Sequence, residues 1–445
     1  MEARSYAALL LVAALACLFA CQRDSRRGVL LVTLDAVRAD HLSCYGYPVK
    51  TTPYIDGLAA RGATFEQAIA VSSNTPVSHA AILTGLYPAR NGVRFIHGFQ
   101  AHRLADDVPT MAGLFAGAGY SSAAFVSAFP LVASRYGLDR GFGLYDDGVV
   151  SDPSTAMSDE GFVAIKENQR KGEETIGRFL DWMRKEKPER FFAWVHLFDA
   201  HDSIFMPPRD FVSDFEKKNG ADAAEKRRHH RYDIEIAYMD SLLQRLAAEL
   251  DTMFPWERVQ VVIVSDHGDG LGDHGYERHT LKIYQEQLHV PLIFSGRGLD
   301  RAQRIPGEVS TVDILPTLLD LNGIAVPQGL DGISLRSQLE GRTSSAGRTI
   351  YAEALSPMSV GQPPFVAVIR DGKKLIYSPS SDTYELYDLK VDPSELTNLE
   401  GAPQSAGALE ALKAELHRFP LTLDFKREAP LSAEDQEKLR ALGYL

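Results

Sequence analysis

Two short β-branched runs, each ending in a carboxylate, constrain this 445-residue chain more than any other feature. GVLLVTL (28–34) is followed at once by Asp35, and VQVVIVS (259–265) by Asp266 and His267. Runs so short and apolar read as strands buried on both faces, the habit of parallel sheets. Their polar residues then leave together at the edge where open α/β sheets bind ligands. Carboxylates and an imidazole gathered there suit a divalent cation of the zinc or manganese kind.

The rest of the chain fits that frame. SSAAFVS (121–127) and FFAWVHLF (191–198) are further buried-strand candidates, and apolar residues at Ile236, Met239, Leu242, Leu243 and Leu246 give the stretch 232–246 helical spacing with one buried stripe. The basic run Lys226–Arg231 just before it reads as a solvated loop or helix start rather than an anion-binding lip. After Leu335, Ser, Thr, Gly and Arg dominate through Arg348. FVAVIRDGKKLIYS (365–378) and YELYDL (384–389) then read as hairpin strands with Asp371-Gly372 as the turn, followed by helices near 408–418 and 433–442. The expected fold is α/β: a large, mainly parallel sheet sandwiched by helices over 28–340, and a small C-terminal α+β unit with antiparallel strands over 345–445.

The N-terminus reads as an export signal. AALLLVAALACLFA (7–20) is too short and too bare of flanking charge for a stable membrane span, and Leu18, Phe19, Ala20 and Cys21 resemble a bacterial lipobox, although Phe19 is unusual there. Residues 1–20 are then a signal peptide and Cys21 the lipidated first residue, with a plain secretory signal or an uncleaved anchor as alternatives. The expected location is the cell envelope or periplasm, touching membrane only through that anchor. With Cys17 removed and Cys21 modified, Cys44 stands alone, so no disulfide framework forms. A formal net charge of −12 argues against a nucleic-acid surface but leaves an anionic small molecule or glycan open.

Four more polar residues fall where they could join the first three. Thr75 lies in NTPVSHAAILTG (74–85), a turn feeding a helix, and a phosphate or sulfate group would sit well against that helix end. Thr followed by Pro is equally an ordinary helix start. Asp199 and His201 follow the strand FFAWVHLF, and His279 comes soon after the Asp266 pair. Each alone has an ordinary explanation, such as a hydrogen-bonded loop Asp or a surface His. Seven such residues at strand ends are poorly explained by coincidence.

VTLDAVRADHLSCYGYP (32–48), LTGLYP (83–88), SDHGDGLGDHG (265–275), HVPLIF (289–294), VDILPTLLD (312–320) and ELYDLKVDPSELTNL (385–399) resemble, in this order, the sulfatase family of the alkaline phosphatase superfamily. The resemblance implies the fold and a metal-dependent ester hydrolase, and says less about the ester. Usual sulfatases carry a Cys or Ser, matured to formylglycine, where Thr75 stands, and Thr cannot be matured that way. The Arg of the same motif is His79 here, and the Lys and His expected near Phe125 are not evident in VSAFPL (126–131). The paired acids that hold calcium are also broken, because Ala36 follows Asp35. Calcium, the alternative cation, prefers an all-oxygen shell, so imidazoles favour zinc or manganese.

These positions are closer to the two-metal phosphodiesterase branch, which includes nucleotide pyrophosphatases. That likeness implies one cation on Asp35, Thr75, Asp266 and His267 and a second on Asp199, His201 and His279. Arg38, Asp40 and His41 then brace the first loop, while His79 and His274 support the site or meet substrate. The implied chemistry is attack by Thr75 on a phosphate diester, monoester or phosphonate, with one or two cations bearing the charge. Competing expectations are a sulfuric ester hydrolase using unmodified Thr75 or one of Ser72, Ser73 and Ser78, and a surface binding protein of the same fold without turnover.

Overall fold

A computed structural model describes residues 26–94, 103–149, 169–201, 206–220, 224–342, 347–360 and 362–419. The expected signal, Cys21 and the helix near 433–442 lie outside the described residues.

The main sheet has eight strands: β1 (Arg27–Leu34), β2 (Ala63–Ile69), β3 (Ser121–Phe125), β4 (Leu144–Asp146), β5 (Arg190–Leu197), β6 (Val259–Ser265), β7 (His289–Gly296) and β8 (Gln303–Ser310), in the order β4-β3-β5-β1-β6-β7-β2-β8. All neighbouring pairs are parallel except those of β7, which runs against both β6 and β2. β1 is central and, beyond its first residue, wholly buried, as its unbroken apolar run requires. Helices cover both faces. One face packs on Gly172–Glu186 and on the helix Ala224–Asp251, whose Ile236, Met239, Leu242, Leu243 and Leu246 enter the core. The basic run before that stripe forms the first turns of the same helix, so it extends the expected element rather than preceding it as a loop.

The C-terminal sheet, β12-β11-β10-β9, is antiparallel: β9 (Ile350–Ala354), β10 (Phe365–Arg370), β11 (Lys373–Ser378) and β12 (Thr383–Asp388). Asp371 and Gly372 both have positive φ (54° and 82°), the geometry an Asp-Gly hairpin turn supplies most easily. Its apolar residues Ile350, Ala352, Ala367, Ile369 and Ile376 belong to the same buried cluster as Val262, Val264 and Leu292 of the main sheet. The two sheets therefore share a core. Among the described residues no helix is long and apolar enough to cross a membrane.

Candidate active site

Register places the first two acids. Leu34 pairs with Leu197 on one side and with Ser265 on the other, so Asp35 and Asp266 leave the sheet side by side. The turn after β1 is fastened to β6: the Ala36 N–H donates to Asp266 Oδ1 at 3.2 Å and the Val37 N–H to Ser265 Oγ at 2.9 Å. Thr75 arrives from β2. Its helix, Thr75–Thr84, starts after an extended Asn74, takes Pro76 in its first turn and ends on Gly85 with φ of 66°. All ten helical residues are buried, so the helix is enclosed by the protein and Thr75 faces inward.

Asp35, Asp266 and His267 converge, each offering a ligand atom within 4.8 Å of the others, and all three are buried. His267 Nδ1 lies 2.8 Å from the Gly268 carbonyl and must carry the proton, which leaves a lone pair on Nε2. That Nε2 is 3.1 Å from Thr75 Oγ1, 3.3 Å from Asp266 Oδ2 and 4.0 Å from Asp35 Oδ1. Neither Asp35 Oδ1 nor Asp266 Oδ2 receives a protein hydrogen bond, although both are enclosed. Two solvent-excluded carboxylate oxygens facing a nitrogen lone pair form an arrangement a divalent cation fits. Burial pushes both carboxyl groups up, and for Asp266 the neighbouring Asp35 adds to it. A bound cation would reverse that direction.

The outer partners are defined. His196, within β5, accepts the Ser127 N–H on Nδ1 at 3.2 Å and so donates Nε2–H to Asp35 Oδ2 at 2.9 Å. Burial, with Arg170 adding to it, holds His196 down to about 3, so it stays neutral and fixes the orientation of Asp35. Sequence reasoning missed His196. The signal was there, since a polar residue inside an otherwise apolar buried run needs a partner. His79 faces its own helix: Nδ1 donates to the Thr75 carbonyl at 2.8 Å, and Nε2 is 3.1 Å from the Thr33 hydroxyl, which accepts from Trp194. It secures the Thr75 turn. Arg38 reaches Asp40 at 2.7 Å, Asp273 at 2.8 Å and the Asp269 carbonyl at 3.4 Å, while His41 pairs with Asp233 at 2.8 Å. Those contacts tie the β1 turn to the loop after β6 and to the long helix.

His201 and His279 come together beside the triad. Their Nε2 atoms are 3.2 Å apart, His279 stacks on His267 with ring centroids 4.5 Å apart, and His201 stacks on Phe198 at 4.0 Å. His279 Nδ1 lies 3.3 Å from Asp269 Oδ1 and donates there, which makes His201 the donor between the two rings. Burial and the neighbouring His279 and His267 push His201 well below the usual imidazole range. Asp199 is elsewhere. Both its oxygens accept the Gly172 N–H, at 3.2 and 3.1 Å, so the first amide of the helix Gly172–Glu186 holds the carboxylate that was expected beside the imidazoles. Asp269, unremarked in the sequence, orients His279 instead. His274 lies further along the same loop, 3.0 Å from Glu286 Oε1 and 3.1 Å from the Glu395 carbonyl.

Comparisons with known proteins bear on the family and the fold. A model described as Sulfatase matches residues 27–324, and one described as N-sulphoglucosamine sulphohydrolase, C-terminal, matches 272–420. A Delta 4,5-hexuronate-2-O-sulfatase of Bacteroides thetaiotaomicron is 26% identical over 96% of this chain and 96% of that protein. Arylsulfatase K of Mus musculus is 28% identical over 51% of this chain and 42% of its own length. Among solved structures, a 2-O GAG sulfatase superposes with a TM-score of 0.72 at 22% identity, covering 94% of this chain and 96% of that one. The phosphonate monoester hydrolase of Agrobacterium radiobacter gives 0.67 at 20% identity, covering 91% and 100%.

Proposed function

The chain belongs to the sulfatase family, and from that premise we propose that it hydrolyses phosphate or phosphonate esters of a small molecule or glycan, with Thr75 as nucleophile. Sulfatase-family hydrolysis of sulfuric or phosphoric esters is the broader activity it shares with its relatives. One observation carries the narrower reading. A threonine hydroxyl, which cannot be matured to formylglycine, stands 3.1 Å from His267 Nε2 at the positive end of its helix, beside a buried metal-type triad.

Asp35 Oδ1, Asp266 Oδ2 and His267 Nε2 would hold a divalent cation, which when bound supplies positive charge to polarise the ester. Zinc or manganese suits this mixed oxygen and nitrogen set better than calcium. Thr75 Oγ1 lies 3.1 Å from His267 Nε2, and the His201–His279 pair that packs against His267 would take up the hydroxyl proton as Thr75 becomes the nucleophile. Thr75 Oγ1 then attacks phosphorus in line, forming an O–P bond while the bond to the leaving oxygen breaks with its electron pair. The imidazolium so formed returns that proton to the leaving oxygen as the alcohol departs. The same pair, neutral again, takes a proton from the water that cleaves the phosphothreonine ester and returns it to Thr75 Oγ1.

A sulfuric ester is the second reading, and full-length similarity to a hexuronate 2-O-sulfatase favours it. A threonine sulfate lacks the easy elimination open to a formylglycine diol, so phosphorus remains preferred. Comparing an aryl phosphodiester, an aryl phosphonate monoester and an aryl sulfate on one metal-loaded sample separates the two. Thr75→Ala is expected to abolish phosphoester turnover with metal content nearly intact. An undiminished rate removes Thr75 from the mechanism.

A further inference from the structure

The imidazole loop is held from outside the main sheet. Between Gly268 and Tyr284 the chain places three residues that carry side chains in the left-handed region, Leu271 (φ 47°), His274 (φ 49°) and Thr280 (φ 84°). Such conformations persist only where surroundings over-determine them. The loop's own ties include Gly268 N–H to the Gln287 carbonyl at 2.8 Å and Gly272 N–H to the Tyr276 carbonyl at 2.8 Å. Arg38 of the β1 turn adds its contacts to Asp269 and Asp273, and a further set of anchors comes from the C-terminal unit. Lys374 on β11, wholly buried, sets Nζ 2.8 Å from Glu395 Oε1, and Glu395 Oε2 accepts the Gln285 N–H at 2.6 Å. Glu395 also turns its carbonyl to His274 Nε2, and the His274 ring lies flat on Tyr284, with centroids 3.9 Å apart and planes 9° from parallel. Tyr284 in turn donates to Glu385 of β12 at 2.8 Å.

A buried ion pair is a poor device for stability alone, because well-packed apolar residues in its place are often neutral or stabilising. What it offers is direction: one carboxylate oxygen for Lys374, the other for the Gln285 amide. We infer that Glu395, held by Lys374, is a positioning residue of the active site, and that through Gln285 and His274 it sets where the loop presents His279 to His201. The inference rests on the reading above that His279 serves the reaction.

The test is the double variant Lys374→Met/Glu395→Leu, which removes the pair without stranding a charge. Its Tm is expected at or above that of the parent, with zinc uptake unchanged. Backbone hydrogen exchange across 268–284 should rise while that of β1 and β6 does not, and kcat on an aryl phosphodiester should fall at least tenfold. Parent-like exchange overturns the inference, and so does raised exchange with parent-like turnover. Should the double variant not fold, Glu395→Gln, which keeps an oxygen for Gln285, is read against the same outcomes with a smaller fall. If the parent turns over no ester, the functional reading fails, and exchange across the loop alone decides whether Glu395 holds it.

Discussion

The metal-type triad and the imidazole pair lie against each other yet are built by opposite means. Asp35 and Asp266 are the residues next to strands in register; the backbone N–H groups of Ala36 and His267 lock Asp266, and His196 of the neighbouring strand locks Asp35. His279 instead stands on a loop with left-handed residues and hangs on Asp269, while the far side of that loop is tied to Glu395, more than a hundred positions along the chain. A site can thus take its charge from rigid sheet geometry and its proton handling from a segment held by remote contacts. Sheet ends resist displacement because moving them breaks a ladder; a loop moves at the cost of a few side-chain bonds.

The sharpest way to break this contrast is to remove a strand-end ligand. Asp266→Asn should lose divalent cation and lower turnover by roughly 10²–10³-fold or more, leaving the thermal midpoint near or above that of the metal-free parent, since burial disfavours the charged carboxylate. Metal analysis with steady-state kinetics checks it, and full metal content would make Asp266 no ligand. A smaller effect is expected one contact further out. His196→Phe removes the donor to Asp35 Oδ2 and should weaken cation binding by about 10–100-fold, measured by calorimetry, with hydrogen exchange of the His279 loop unchanged.

The smallest effect belongs to the loop and is read in pH. Hydrogen bonding to Glu286 outweighs burial and raises His274 from 6.5 to about 9. A raised imidazole pKa contributes stability that is full below about 6.5 and lost as pH climbs through about 9. The parent's unfolding midpoint should therefore fall over that window more than that of His274→Gln. Equal slopes would show that His274 carries no linked proton.

The same contrast explains what was legible in the sequence. Asp35, Asp266 and His267 could be read because a strand's end is marked locally by where its apolar run stops. Thr75 could be placed by the Pro and the buried helix that follow it. Asp199 looked equivalent, but its partner, the Gly172 amide, sits 27 residues earlier, and nothing local reveals that a helix end will capture it. His196 was hidden by its own strand. The hairpin of the C-terminal sheet was plain from its alternation and Asp-Gly turn, whereas the insertion of Lys374 and Glu395 behind the imidazole loop is a tertiary contact with no local pattern.

In the proposed reaction the Thr75 oxygen forms the covalent bond to the transferred group. Acid-quenching the metal-loaded enzyme during turnover of an aryl phosphodiester and mapping peptides by mass spectrometry tests it most directly. A phosphoryl ester on Thr75, absent from Thr75→Ala, is the predicted result. The same ester on Ser72, Ser73 or Ser78, or product release with no modified peptide in any quenched sample, would contradict it.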